Sequence, residues 1–599
     1  MISESHPPSR SDYSRGFEIA IAEPVKSHAA SLSLQMKERG KKVGTASQGS
    51  PQIFWLGAES DNESIRDPRL SLPREYNAAS YFIDRHVVEG RAGRIAFADD
   101  NGTYSYGDLA ARVNRAGNVL RSLGVGAEDR VLLCLLDTFD FPALFWGAIK
   151  IGAVPVPIST MLRAADYDYL LRDCAAKVVA VSAELQGQWT SVAPAYRGLR
   201  AVLVTGKFER DCGGLFQGFD TLVAQADPHL ECEPCVPDSV ALWLYSSGST
   251  GKPKAAVHLH SHLIHTAVLN GEMTLGIGEN DVVFSGAKLF FAYGLGNAST
   301  FPLHAGATSV LMAERSTPEA VMAAMRRHRI TVFFGVPTLY ANILAHPELD
   351  RSAGSDRLRL CVSAGEALPE NISQRWAERF GVEILDGIGS TESLHTVISN
   401  RRDDFRYGTS GKPVPGWEIR LLNEQGREVA PSETGDLWCS GPSISPYYWN
   451  DRETSRRTFV GRWLRTGDKY QRDADGYYRY IGRSGDMMKA GGIWVSPFEV
   501  ESLLITHPAV LQAAMIGVAD SNGLAKPKAF VVLRAESQGT QALADTLIAY
   551  LRERLAHFKC PRSIEFRAEL PMTATGKIQR YKLREEASRT AAAEAVHNR

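Results

Sequence analysis

From Tyr76 onward, short apolar, β-branched runs alternate with longer stretches whose apolar residues recur at helical spacing, and this alternation constrains the fold more than any other feature. Residues 130–136, 153–158, 178–182 and 199–204 read as strands, with 141–150 as a helix among them. Strands separated by helices are joined by crossovers, so they run parallel and are buried on both faces. The pattern continues through a strand at 307–312, a helix at 318–329 and a strand at 330–334. Between 411 and 481 it turns strand-rich, with an Asp475-Gly476 hairpin signal between aromatic strand residues. A polar, Gly-rich stretch at 483–492 precedes a compact α+β pattern. The expected fold class is α/β: a large N-terminal domain of mixed and parallel sheets with packed helices over 74–482, and a small α+β C-terminal domain over 486–585. Residues 1–73, rich in Ser, Lys, Glu and Gly and poor in periodic apolar positions, are expected to form a disordered extension, and 586–599 a frayed tail.

The chain has 67 Lys and Arg against 68 Asp and Glu, a net charge of −1, so no global field draws it to nucleic acid or to an anionic membrane. Any charged ligand must be held locally, and neither partner class is expected. Eight cysteines scattered over 599 residues are too sparse for a disulfide framework, which fits a reducing compartment. Cys232 and Cys235 form a lone CxxC with no second pair at zinc-site spacing, so the pair is read as plain loop and given no metal. The longest apolar runs, such as 131–136, fall far short of the roughly 20 residues that span a bilayer, and the first residues lack a signal peptide's apolar run. A soluble, cytoplasmic protein is expected. Nothing in the residues chooses between a monomer and a homodimer.

The run Tyr245-Ser246-Ser247-Gly248-Ser249-Thr250-Gly251-Lys252-Pro253-Lys254 follows the apolar strand 240–244. Glycine removes the Cβ that would block close approach, so backbone N–H groups, hydroxyls and lysines can converge on phosphate oxygens. It is not a Walker A loop: two residues rather than four separate Gly248 from Gly251, and Lys252 precedes Pro253 instead of Ser or Thr. Further along stand Ser363-Ala364-Gly365-Glu366, Gly387-Ile388-Gly389-Ser390-Thr391-Glu392, Thr466-Gly467-Asp468, Tyr480-Ile481-Gly482-Arg483 and Pro571-Met572-Thr573-Ala574-Thr575-Gly576-Lys577. With this series in order, residues 76–585 resemble the acyl-adenylate-forming superfamily of acyl- and aryl-CoA synthetases. Tyr76-Asn77-Ala78-Ala79, Leu135-Leu136-Asp137-Thr138 and the run from Lys288 to Asn297 resemble its benzoate-CoA ligase branch.

The resemblance implies ATP, Mg²⁺ and coenzyme A as cofactors and an aromatic carboxylic acid as substrate. Joining a carboxylate to the α-phosphate of ATP brings two anions together, so cations are needed where charge collects. By resemblance, Glu392 holds Mg²⁺, Thr391 contacts the α-phosphate, and Lys577 bridges carboxylate and phosphate oxygens. Ser246, Ser247, Gly248, Ser249, Thr250, Gly251, Lys252 and Lys254 cradle the polyphosphate. Asp468 takes the ribose hydroxyls with Arg483 in support, Gly365 and Glu366 wall the adenine, and Asp386 reads its amino group next to Gly387. Ile388 stands where most relatives carry an aromatic that packs on the base. The family rotates its C-terminal domain between half-reactions about a hinge, here Gly485 where relatives usually have Asp or Lys, which brings Lys489, Gly491 and Gly492 to the site for the thiol step.

Phe290 to Gly294 combine aromatics with small residues, as a flat slot for a ring requires. Phe291, Ala292, Tyr293, Gly294, Ala364, Gly389 and His395 are its candidate walls; glycines at 387 and 389 are expected to let a ring lie close to the backbone, and His395 to meet a ring substituent or cap a turn. Two other readings remain open: an aryl-acid adenylating enzyme that loads a carrier protein, and a non-catalytic aryl-acid or nucleotide sensor. The chain has no carrier domain, and a sensor would not require Glu392, Lys577 and Asp468 together.

Overall fold

The computed structural model describes residues 67–208, 214–247, 252–490, 493–519, 525–535, 537–572 and 578–597. Glu63–Arg599 falls within one compact unit. Among the described residues a five-stranded, wholly parallel sheet runs in the order Val154–Pro157, Arg130–Cys134, Val178–Ser182, Ala201–Thr205, Phe216–Gly218. Every residue of Val154–Pro157, Val178–Ser182 and Ala201–Thr205 is buried, as continuous apolar strands covered on both faces must be. The helix Asp140–Lys150 lies between its strands, within two residues of the expected bounds.

A second sheet is nine-stranded and mixed among the described residues. Its parallel centre runs Ile384–Gly389, Leu360–Ser363, Val332–Gly335, Val282–Ser285, Thr308–Val310 and Ile95–Asp99, with antiparallel strands at both ends. The connecting helices start on strong local signals. Ser105 and Asp108 form a reciprocal capping box before Tyr106–Ser122, and Thr317 caps Pro318–His328 with proline in its first turn. An antiparallel ribbon, Val240–Ser247 with Pro253–Leu259, carries the two arms of the hydroxyl-rich loop. The strand-rich region from 411 builds a third sheet around Trp463–Arg472.

After Tyr478–Arg483 the chain forms an α+β unit in which Val510–Ala519, Ala525–Leu533 and Ser563–Arg567 pair in one sheet. Its apolar clusters draw only on residues from Met488 onward, and the other clusters only on residues up to Tyr480. The chain between is pinned on both sides of Gly485. Ser484 donates through its N–H to Gly467 O (2.9 Å) and through Oγ to Asp436 Oδ1 (2.9 Å). Asp486 is paired with Arg584 at 3.0 Å and Arg580 at 3.7 Å, both on the helix Arg580–His597. No helix among the described residues is long and apolar enough to cross a membrane.

Six largely buried histidines are held neutral. Burial lowers His86 and His395 to about 3, His258, His260 and His265 to about 4, and His262 well below the ordinary value of 6.5. Below that ordinary value the unfolded chain binds protons that the folded chain refuses. Their contribution is therefore present above pH 6.5 and lost as pH falls toward 4, at up to about 1.4 kcal/mol per pH unit for each histidine. The expected outcome is a melting temperature that drops steadily between pH 7 and about pH 5, read by circular dichroism; a flat profile over that range contradicts the assignment.

Candidate active site

The carboxyl ends of Val282–Ser285, Val332–Gly335, Leu360–Ser363 and Ile384–Gly389 point to one edge of the mixed sheet, where open α/β sheets bind ligands. The segments leaving these ends carry the residues singled out above. Ala364, Gly365 and Glu366 follow Ser363, with Gly365 at φ +95° and Glu366 Oε2 accepting from Thr338 Oγ1 at 3.3 Å. Residues 390–394 follow Gly389 as a turn closed by Leu394 N–H donating to Thr391 O at 3.1 Å.

That turn is held from several sides. His258 Nε2 lies 2.8 Å from Thr391 O, and Ser445 N–H donates to Glu392 O at 2.7 Å. Glu392 Oε1 accepts from Tyr448 Oη (2.7 Å) and from Ser246 Oγ (3.0 Å), which ties the carboxylate to the first arm of the hydroxyl-rich loop. On the other arm Lys254 Nζ lies 5.6 Å from the Tyr448 ring centroid, and Lys252 Nζ 5.6 Å from that of Tyr169. Gly248, Ser249, Thr250, Gly251, Gly491, Gly492 and Lys577 lie outside the described residues, as do the side chains of Ser247 and Lys489.

Asp468 and Arg483 face each other across paired antiparallel strands as an ion pair, with Arg483 Nε 2.8 Å from Asp468 Oδ1. Asp468 is buried and the arginine half-exposed, and the Asp468 charge holds the guanidinium proton more tightly than usual. Asp386 is buried among strands; its Oδ2 accepts from Ser410 Oγ (3.3 Å), which in turn meets Tyr470 Oη (3.2 Å). Asp386 Oδ1 is buried with no hydrogen-bond partner among the described residues, and burial pushes the carboxyl well above its usual range. Ile388 packs against the core cluster that contains Tyr470 and Leu437.

The aromatic run is closely packed. The Phe290 and Phe291 rings meet edge to face at 4.4 Å, Ala292 is buried at the start of the short helix Ala292–Leu295, and Tyr293 Oη donates to Val362 O at 3.2 Å. The His395 ring stands 5.5 Å from that of Tyr293. Asn270 Nδ2 donates to its Nδ1 at 3.1 Å, so Nε2 carries the proton and donates to Asn297 Oδ1 at 3.1 Å. Both ring nitrogens are thus engaged with asparagines. Asp137 accepts Leu289 N–H at 3.2 and 3.3 Å, anchoring the run from below, and burial raises its carboxyl to about 6.

One expectation needs a different physical reason. A Cβ on Gly389 would collide with the backbone of His395 and Thr396, and one on Gly387 would press on Thr396 Cγ2 at 2.8 Å and Ile398 O at 3.0 Å. The neighbouring strand Thr396–Ser399 and its approach are by themselves enough to require glycine at both positions. A Cβ on Gly294 would strike Lys288 O in the same way. His258, Tyr448 and Asn270 carry site geometry that the sequence reading missed, and Asn297 entered it only as the end of the run from Lys288. The one visible signal was the histidine-dense stretch 258–265, whose histidines meet partners remote in sequence.

The AMP-binding enzyme family matches residues 84–449, and the AMP-binding enzyme C-terminal domain matches 499–577. The chain is 52% identical over 525 residues to a benzoate–CoA ligase of Thauera aromatica, covering 87% of this chain and 98% of that one. It is 47% identical to a 4-hydroxybenzoate–CoA/benzoate–CoA ligase of Rhodopseudomonas palustris, covering 86% and 94%. Among solved structures, a benzoate CoA ligase from Burkholderia xenovorans LB400 superposes with a TM-score of 0.79 at 49% identity, covering 85% of this chain and all of that one. An anthranilate CoA ligase in complex with anthranoyl-AMP superposes with a TM-score of 0.84 at 40% identity, covering 88% and 99%. The chain belongs to the AMP-binding enzyme family, the acyl-adenylate-forming superfamily of acyl- and aryl-CoA synthetases. Within it, the chain falls in the benzoate-CoA ligase branch.

The close approach at Gly389 gives a direct test. Gly389→Ala should destabilise the fold by about 1–3 kcal/mol through overpacking against the adjoining backbone, measured by urea denaturation; an unchanged midpoint shows that the strands have room to part.

Proposed function

We propose that the protein is an ATP-dependent aryl-CoA ligase, converting benzoate or a substituted benzoate to its CoA thioester through an aryl-AMP intermediate with release of AMP and pyrophosphate. One observation carries the reading: a single short segment joins both halves of the site. Glu392 meets the hydroxyl-rich loop through Ser246, and three residues on, His395 stands against Tyr293 of the aromatic slot. An acid bound in the slot would have its carboxylate directed toward the phosphates.

Among the described residues no cluster of three or more His, Cys, Asp or Glu is able to hold a metal. A cation at Glu392 would therefore complete its shell with phosphate oxygens and water, which is how Mg²⁺ usually binds. Mg²⁺ there supplies neutralisation of the polyphosphate charge. Thr391 and the loop from Ser246 to Lys254 bind the phosphates, Asp468 accepts from the ribose hydroxyls, and Arg483 orients that carboxylate. The unpartnered Asp386 Oδ1 suits an adenine amino group, while Gly365, Glu366, Gly387 and Ile388 border the base. Lys577 offsets charge as a carboxylate oxygen bonds to the α-phosphorus and the bond to pyrophosphate breaks. In the second step the CoA sulfur bonds to the acyl carbon, AMP leaves, and the thiol proton passes to solvent. Rotation of residues 486–585 about Gly485 exchanges Lys577 for Lys489 with Gly491 and Gly492. The separate cores and the pins at Ser484 and Asp486 support a pivot at that residue.

Phe291, Ala292, Tyr293, Gly294, Ala364, Gly389 and His395 line the ring site. Tyr293 Oη spends its proton on Val362 O and both His395 nitrogens are engaged, so a ring hydroxyl could donate only to the Tyr293 Oη lone pairs and neither side chain has a proton to give its oxygen; benzoate, which has no such group to satisfy, is favoured over hydroxybenzoates.

Benzoate-dependent exchange of pyrophosphate into ATP, together with AMP release in the presence of CoA, tests the activity. Benzoate should exceed 4-hydroxybenzoate in kcat/KM by about tenfold, the cost of one unpaired buried polar group. If no aryl acid supports exchange, the reading falls. Lys577→Gln should lower exchange by about 100-fold or more while leaving thioester formation from supplied benzoyl-AMP near the unmodified rate. Equal loss of both steps contradicts its role in the first alone.

A further inference from the structure

The turn 390–394 is held at its backbone by a histidine from a remote strand. His258 sits in Pro253–Leu259, the strand that leaves the hydroxyl-rich loop, and is 0% exposed. Its Nε2 lies 2.8 Å from Thr391 O, the carbonyl that joins Thr391 to Glu392. A carbonyl oxygen only accepts, so Nε2 carries the proton. His258 Nδ1 is then an acceptor, and the atom facing it at 3.1 Å is His262 Nδ1, which must donate. Leu259 N–H reaches the same His262 Nδ1 from the longer distance of 3.4 Å; were that nitrogen to accept there, the 3.1 Å contact would set two lone pairs against each other unless His258 carried protons on both nitrogens. Complete burial of the ring opposes that charge. The order His262 Nδ1–H to His258 Nδ1, and His258 Nε2–H to Thr391 O, is thereby the one the geometry satisfies.

Thr391 O now receives two donors, Leu394 N–H and His258 Nε2–H, which occupy both lone pairs. The peptide plane between Thr391 and Glu392 is consequently fixed from the side of the loop's own strand. Tyr448 and Ser246 direct the Glu392 carboxylate, but neither sets the plane from which it springs.

We propose that His258, oriented by His262, is a positioning residue that sets the Thr391–Glu392 peptide for binding of magnesium and the nucleotide triphosphate. The proposal rests on the roles given above to Thr391 and Glu392. It assigns His258 no contact with substrate and no proton transfer.

The test compares His258→Gln with His258→Asn in the full chain. Both keep an amide in the same buried site, but only the glutamine nitrogen reaches the place of Nε2, the asparagine nitrogen matching that of Nδ1. His258→Asn should weaken Mg·ATP binding, measured by calorimetric titration without acid present, by about 10- to 100-fold, the usual range for a group that orients a metal ligand. It should lower benzoate-dependent pyrophosphate exchange by a similar factor, while thioester formation from supplied benzoyl-AMP stays within about threefold. His258→Gln should recover most of the Mg·ATP affinity. Two folded variants of equal affinity, or an Asn variant that loses both half-reactions equally, overturn the proposal. If His258→Asn does not fold, a His258→Gln enzyme with Mg·ATP affinity reduced about tenfold or more overturns it, and one with near-normal affinity sustains it. An unmodified protein that binds Mg·ATP but exchanges no pyrophosphate with any aryl acid removes the parent reading instead.

Discussion

The site depends on how closely two strands approach. Ile384–Gly389 enters as a parallel strand of the central sheet and leaves paired antiparallel with Thr396–Ser399. Only a residue without a Cβ fits at 387 and 389 with the neighbouring backbone so near. Because the chain returns on itself there, the turn between these strands is short, and it carries Thr391, Glu392 and His395 within five residues. One reversal of direction thus places the Glu392 carboxylate, bonded to Ser246, and the His395 ring, set beside Tyr293, on the same piece of backbone. Lengthening that turn would separate the two side chains.

Around this turn the fold supplies orientation by hydrogen bonds from segments far apart in the chain. His258, Ser445, Tyr448 and Ser246 reach its backbone or its carboxylate, and Asn270 and Asn297 fix the ring of His395. Such a network leaves few alternative geometries, because each buried donor or acceptor that lost its partner would cost roughly 1–3 kcal/mol. The C-terminal part is organised on a different principle. Its apolar clusters are its own, and on either side of Gly485 the chain is bound in opposite directions, Ser484 to the preceding strands and Asp486 to the C-terminal helix, while Phe498 meets the ring of Tyr480 at 5.2 Å.

Much of the scaffold was legible because its signals are local. Strand 178–182 coincides with Val178–Ser182, and helix 318–329 with Pro318–His328, since continuous β-branched runs and a Thr-Pro start need no distant partner to be recognised. The strand expected at 307–312 is shorter, Thr308–Val310, because its pairing with both neighbours ends there. Glu392, Asp468 and Arg483 stood out through motifs that resemble a known family. His258 and Tyr448 did not, because a histidine in an apolar strand and a tyrosine in an aromatic run look like core until the segments they touch are brought together.

By itself the amino-acid sequence determined the α/β class, the order of strands and helices, and the chemical types gathered for phosphate, ribose and ring, because periodicity and motif composition act over a few residues. The tertiary structure alone decided that Gly387 and Gly389 serve strand packing, that His395 has no nitrogen free, and that Thr391 answers to His258 across more than a hundred residues. Those facts depend on which surfaces meet. Contacts between segments remote in the chain follow from packing the whole core, and no local pattern of residues carries that information.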